Sequence, residues 1–291
     1  MDEKFIMQPK VDYCFKALME NERVRNGFLS AVTKIPRKEI QGSRLLPTHL
    51  EKKSPDGKLG ILDVRVELVG GVQIDIEIQV ASSEYWAERS LYYLSRMYAE
   101  KIREGQDYEQ LEKCIHIGIL DFTLFEDQEF YSSFHLWEDK RKEMYTDKFE
   151  IHILELPKLT RYQYPETELL EWARFLNAEQ KEVLQVEADK NPDIAEAMRE
   201  LEKISRDETK KAEYDARLKA IRDYRFYLKM SEQRGFEAGK MEGRTEEREE
   251  GIRALVETCR ELGECRDKTV RRLQDKYGLS QETAENYMEK Y

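Results

Sequence analysis

Two stretches of the chain alternate strictly between apolar and polar side chains. Leu62, Val64, Val66 and Leu68 interleave with Asp63, Arg65 and Glu67. Beyond Gly70 and Gly71, Ile74, Ile76, Ile78 and Val80 interleave with Gln73, Asp75, Glu77 and Gln79. A period of two marks strands with one face in a core, so the pattern predicts a β-hairpin. Residues opposite one another in an antiparallel pair share a face, and that condition selects the loop. A two-residue loop at Gly70–Gly71 would pair Val69 with Val72 and set Asp63 opposite Ile78, mixing the faces. A three-residue loop keeps them apart and uses a left-handed position that glycine fills without strain. Asp63 then lies opposite Glu77 or Gln79, with Cβ atoms about 5 Å apart or at the next diagonal.

Helical spacing upstream places Phe15, Leu18, Met19, Phe28, Leu29 and Val32 on one stripe within 11–33. "SRLLPTHLEKK" reads as extended chain broken at Pro47, and "SPDGK" as a turn. Downstream, "SSEYWAERSLYYLSRMYAEKIREG" predicts a helix with Ser82 or Ser83 as its cap and Gly105 at its end. "CIHIGILDF" over 114–122 reads as a buried strand, and "YSSFHLWE" and "FEIHILEL" as two more. Helix and strand alternate to residue 158, which predicts an α/β domain over 1–158, a sheet flanked by helices. An α-helical extension follows. Residues 159–233 are helix-forming and densely charged, with one break at "KNPD". Residues 234–291 begin with Gly235, Gly239, Gly243 and Gly251 on a four-residue step. Each glycine costs a helix interior about 1 kcal/mol relative to alanine. That favours a partly disordered spacer over close helix–helix contact. The last residues read as two short helices in helix-turn-helix outline, with Gly278 at the bend and Ser280 capping the second. That second helix is rich in glutamate, so it reads as a packing or partner-binding unit rather than a DNA reader.

Composition narrows the classes. With 37% charged residues and 291 in all, the chain suits a compact part plus exposed helices better than one thick core. No apolar run approaches the ~20 residues that span a bilayer, so no membrane partner is expected. The opening "MDEKFIMQPK" does not read as a secretory signal. Four cysteines and four histidines are scattered without CxxC or HxxxH spacing, which points to reduced thiols in the cytoplasm and away from a zinc site. His49, His116, His135 and His152 lie in or beside predicted strands, and none is assigned to catalysis. The net charge of −11 argues against a simple basic DNA-coating protein.

The polar face of the hairpin is the candidate chemistry. An antiparallel pair with one wet face shows the same alternation routinely. The sharper alternative is a divalent-metal site, because Asp and Glu supply hard oxygen ligands and a hydrated Mg2+ needs only one or two carboxylates plus a phosphate. Such an ion would offset the repulsion between the acids.

Asp63 on one strand, a turn, then "IEIQ" with Glu77 and Gln79 on the next resembles the core of the PD-(D/E)XK nuclease superfamily, with Gln in the Lys position. Together with "DYCFKALM", "DGKLGILDVRVEL", "ERSLYYLSRMYAEKIREGQDYEQL", "CIHIGILDFTLF" and the glycine-stepped acidic tail, it is similar to the Rpn family of recombination-promoting nucleases and transposase-like proteins. The resemblance implies a restriction-endonuclease-like mixed central sheet and a Mg2+- (or Mn2+-) dependent DNA endonuclease, promoting recombination or accompanying a mobile element. Asp63 and Glu77 would be the metal ligands. Gln79 would take the place of the lysine that orients the attacking water, without bringing its charge. That departure motivates a second hypothesis, a nuclease-fold protein that binds DNA or a protein and cuts poorly. A third is an oligomerising scaffold working through the helices beyond residue 160.

Cations for phosphate contact come from several places. Arg65 shares the polar face with Asp63, and Lys58 precedes it. Tyr85, Arg89, Tyr92 and Arg96 form a single stripe on the next helix, as phosphate and sugar contacts would. The same stripe also suits a surface on which Arg96 pairs with Glu100 at i+4. Arg89 is the stronger candidate because it starts nearer the "IEIQ" strand. Asp12 reads as a cap of the first helix, and Glu20 and Glu22 as solvent-exposed acids. Cutting both strands with one site per chain leads to the expectation of a homodimer.

Overall fold

A computed structural model describes residues 5–50, 60–81 and 85–291 of the chain. Chain contacts divide it into two units, residues 1–222 and 223–291.

The first unit opens with α1 (Asp12–Glu20) and α2 (Glu22–Thr33). The apolar stripe over 11–33 is therefore two helices. Asn21 breaks it by accepting hydrogen bonds from the amides of Arg23 and Val24 as the cap of α2. Asp12 is the first helical residue of α1 rather than a side-chain cap; its carboxylate faces Arg217 instead. A short α3 (Arg37–Ile40) leads to β1 (Arg44–Leu46) and β2 (His49–Leu50) on either side of Pro47. Then come β3 (Gly60–Ile61), β4 (Val64–Glu67), β5 (Gln73–Gln79), α4 (Trp86–Glu100), β6 (Cys114–Leu120), β7 (Tyr131–Trp137) and β8 (Met144–Glu155). The "SPDGK" turn and the Ser82 and Ser83 caps lie outside the described residues. Helix α4 ends at Glu100, with Lys101 as its cap, and Gly105 sits in a later turn.

Six strands form one mixed sheet in the order β1-β4-β5-β6-β8-β7, while β2 and β3 pair separately. The central pairs β5–β6 and β6–β8 are parallel, and the outer ones antiparallel. The predicted hairpin has the three-residue loop. Arg65 pairs with Asp75 and Val66 with Ile74, the amide of Leu68 donates to the carbonyl of Val72, and Gly70 and Gly71 both adopt positive φ.

One face of this sheet, carrying Ile74, Ile76, Ile78, Ile115, Ile117 and Ile119, packs on α1 and α2 in the main core. The other face is covered by α4 through Trp86, Tyr93, Leu94 and Met97. Trp86 lies against Gly118, where an added Cβ would come within 2.6 Å of the indole.

Beyond residue 158 the chain continues into the same core. Helices α5 (Glu168–Asn177), α6 (Lys181–Lys190) and α7 (Pro192–Ser205) bury Leu170, Trp172, Phe175, Leu184, Ile194 and Leu201 in it. The break at "KNPD" is Asn191 capping α7, with Pro192 at its first position. The amide of Met7 donates to Ser205 Oγ at 3.0 Å and that of Gln8 to Tyr214 Oη at 3.1 Å, which ties the lead-in to α1 onto α7 and the helix that follows it. A domain boundary at 158 therefore does not separate compact units in this structure. The charged surface of α5–α7 hides narrow apolar stripes that complete the core.

Helix α8 (Glu208–Glu261) enters both units. The glycine-stepped segment is part of it, helical rather than a disordered spacer, with strong helix formers between the glycines. In the second unit Ile252 and Val256 of α8 pack with α9 (Arg266–Tyr277) and α10 (Gln281–Lys290). Gly278 ends α9 at φ 62°, and Ser280 Oγ accepts from the amide of Thr283. Among the described residues no helix is long and apolar enough to cross a membrane.

Candidate active site

The β4–β5 hairpin positions the acids. Asp63 immediately precedes β4, and the observed register carries it opposite Glu77. The main-chain amide of Asp63 donates to Glu77 Oε1 at 2.9 Å, and Asp63 Oδ2 accepts from the amide of Ile78 at 3.1 Å. The polar face here is not a wet one. Asp75 is 0% and Glu77 1% exposed, because α4 lies over them.

Helix α4 also supplies the first cation. Arg89 Nη2 donates to Glu77 Oε2 at 2.8 Å and Nη1 to Gln79 Oε1 at 3.2 Å, so one guanidinium spans both residues of the "IEIQ" strand. Its Cζ lies 5.9 Å from the ring centre of Trp86 and 5.4 Å from that of Tyr93. A second cation arrives from α1, where Lys16 Nζ is 2.8 Å from Asp63 Oδ1.

The remaining candidates are elsewhere. Arg65 turns to Gln73 Oε1 at 2.8 Å and Glu100 Oε2 at 3.1 Å, at the far end of α4. Arg96 donates to Tyr92 Oη at 2.8 Å and lies 3.9 Å from Glu100, which is the i+4 pairing of the surface-stripe alternative on a half-buried face rather than an open surface. Lys58 lies outside the described residues. Glu20 and Glu22 are exposed. The structure thus brings together Asp63, Glu77, Gln79 and Arg89, and leaves Arg65, Tyr92 and Arg96 apart from them.

Two buried groups that the sequence reading placed on strands without a role, Asp75 and His116, lie beside the acids. His116 on β6 is paired in register with Asp75, and its Nδ1 lies 2.7 Å from Asp75 Oδ2. Burial, followed by the charge of Asp63, pushes the Asp75 carboxyl well above the usual carboxylate range. Burial also pushes His116 down to about 4. Both shifts favour a neutral pair, with the Asp75 hydroxyl donating to the imidazole. Asp75 Oδ1 has no hydrogen-bond partner among the described residues. Glu77 is pushed up to about 8, by burial first and then by the neighbouring acids Asp75 and Asp63, against the opposing pull of Arg89.

That donor set suits a hard divalent cation. Two converging carboxylates are enough for an ion that keeps several waters and takes a substrate phosphate. A positive charge there would relieve the repulsion that raises Glu77. Among the described residues no cluster of three or more His, Cys, Asp or Glu side chains is arranged to enclose a metal, so a closed structural site is not what this hairpin offers.

The model of the PD-(D/E)XK nuclease family transposases matches residues 9–231. No curated protein and no solved structure matches the chain. The matched span runs from just before α1, through the hairpin and α4, into α8, and so takes in every element that contributes to the site. The chain belongs to the PD-(D/E)XK nuclease family transposases.

Proposed function

We propose that the chain is a Mg2+- or Mn2+-dependent DNA endonuclease, hydrolysing phosphodiester bonds in the cytoplasm and promoting recombination or serving a mobile element. The observation that carries this reading is the convergence of Asp63 and Glu77 across the hairpin, with Arg89 bridging Glu77 to Gln79. Asp63 and Glu77 would hold the ion, which supplies charge stabilisation and a bound water of lowered pKa. Arg89 fixes the Glu77 carboxylate and occupies the oxygen of Gln79. The Gln79 amide N–H groups are then left to donate to a water or a phosphate oxygen. The cover of α4 keeps bulk water from the deep end of the site and strengthens every charge interaction within it. One such site per chain calls for two copies to cut both strands, so a two-fold dimer belongs to the same proposal.

Plasmid cleavage by the wild type and by Asp63→Ala, each with Mg2+ and with EDTA, tests it. Metal-dependent nicking or linearisation that the variant loses supports the endonuclease. A plasmid bound by both proteins and cut by neither supports the second reading, a nuclease-fold DNA-binding protein. That reading is favoured by the neutrality of Gln79 and by the internal partner that each oxygen of Asp63 and Glu77 already has.

A further inference from the structure

With Asp63 and Glu77 both ionised, as metal binding requires, the site holds more negative charge than Arg89 offsets. Asp63 and Glu77 are both acids, Gln79 is neutral, and a DNA strand is itself an anion. Most cations on the neighbouring elements are committed. Arg89 is shared between Glu77 and Gln79. Lys10, with 12% of its side chain exposed, lies 3.4 Å from Asp121 and 3.2 Å from Glu179. Arg217 of α8 clamps Asp12 through Nε, at 2.8 Å, and Nη2.

Lys16 differs from these. Its ammonium sits 2.8 Å from Asp63 Oδ1, and 41% of its side chain is exposed. Its natural partner on α1 is Asp12, four residues earlier on the same helical face. Arg217 occupies that carboxylate and so leaves the ammonium of Lys16 to Asp63.

We propose that Lys16 contacts the scissile phosphate, supplying from α1 the positive charge that Gln79 does not bring, with Arg217 as the residue that positions it. An ammonium has three N–H donors on a flexible stem, so it can hold Asp63 and donate to a phosphate oxygen together. No bond to Lys16 is made or broken. That this phosphate is the scissile one, and the part of the proposal that concerns rate, rest on the endonuclease reading; contact of Lys16 with a DNA phosphate does not.

The experiment uses the full chain in two arms. In EDTA, binding of a short DNA duplex is measured against salt concentration for the wild type, Lys16→Met and Lys16→Arg. Loss of one phosphate contact lowers the slope of log K on log[salt] by about 0.9, and Lys16→Met is expected to show that loss while Lys16→Arg keeps the wild-type slope. Arg217→Met frees Asp12 to draw Lys16 away, so it lowers the slope too, and adding Asp12→Asn restores it. With Mg2+, Lys16→Met cuts about 100-fold more slowly or worse, and adding Gln79→Lys recovers most of the loss. Melting temperatures accompany every variant, since a partly exposed lysine can be replaced without unfolding. An unchanged slope for Lys16→Met in EDTA overturns the phosphate contact, whatever the cleavage result. Wild-type cleavage by Lys16→Met overturns its part in the reaction and leaves the endonuclease standing. A wild type that never cuts sinks the endonuclease, while the EDTA arm still decides Lys16.

Discussion

Asp63 and Glu77 brace each other across the hairpin. The amide of one donates to the carboxylate of the other, and the Asp63 carboxylate accepts from the residue that follows Glu77. Neither acid can be displaced without breaking a bond that positions its partner. The arrangement buries two acids together under α4, and the cost, from burial first and the neighbouring acids second, appears in the raised Glu77 carboxyl.

That cost gives the first prediction. The folded protein holds the Glu77 proton up to about pH 8, whereas a free glutamate releases it near 4.5. Between those values the folded state binds more protons than the unfolded one, so the stability linked to Glu77 is present at low pH and lost as pH rises through the window. Glu77→Gln should therefore melt higher than the wild type at pH 8.5 in EDTA, at about 2–4 °C per kcal/mol gained. It should not cut. Added Mg2+ should raise the melting temperature of the wild type and not that of the variant. A less stable Glu77→Gln at this pH would contradict the assignment of strain to this carboxylate.

Arg89 reaches two residues because a guanidinium is a planar fork. A lysine at this position offers one point of charge and cannot span Glu77 Oε2 and Gln79 Oε1 in the same way. Arg89→Lys is expected to lower kcat for plasmid nicking by about 10- to 100-fold. Arg89→Ala also removes a positive charge beside Glu77 and frees its Oε2, and a divalent ion gains more from that than a proton does, so half-saturation should need less Mg2+. Metal titrations of nicking rate at fixed pH distinguish the two variants.

Gly118 seats the helix that carries Arg89. A methyl group there would lie 2.6 Å from Trp86 Cζ2 and 3.2 Å from Ile153 Cδ1, in a well-filled layer. Gly118→Ala should cost about 1–3 kcal/mol, read as a lower urea midpoint. Trp86 opens α4 three residues before Arg89, so nicking should fall as well, even at temperatures where the variant remains folded.

Glu150 should make the fold sensitive to acid. Burial alone would raise its carboxyl, but His152 Nε2, 2.9 Å from Oε1, and the ammonium of Lys113 against Oε2 hold it down at about 2. A carboxyl lowered in the folded state contributes stability above its ordinary value of 4.5 that is lost as pH falls toward 2. Glu150→Gln should be less stable than the wild type at pH 7 by roughly 2 kcal/mol. The two urea midpoints should converge as pH approaches 2.

Local pattern carried the hairpin, its three-residue loop and the placing of Asp63 opposite Glu77 or Gln79, because the period of the side chains and the glycines at the turn are properties of adjacent residues; the register itself chose Glu77. The same holds for the strands at 114–120 and 131–137, and for Gly278 and Ser280 at the last bend. Other features were hidden for physical reasons. A polar strand face reads alike whether water or a helix lies over it, so the burial of Asp75 and Glu77 beneath α4 could not be told from alternation. The high charge of α5–α7 masked the narrow stripes of Leu170, Trp172 and Leu201 that join the main core. Glycine cost argued against helix over the four-residue step, but the residues between the glycines are strong helix formers, and the segment is helical.

By itself, then, the sequence determined which residues share a strand face, where the chain turns, and which acids converge. Those outcomes follow from backbone geometry over a few residues. Tertiary structure alone decided which charges meet those acids. Lys16 comes from α1, Arg89 from α4 and His116 from β6, and Arg217 of α8 pairs with Asp12 of α1. Such meetings depend on how separate elements pack, because charge interactions act through space and carry no period along the chain.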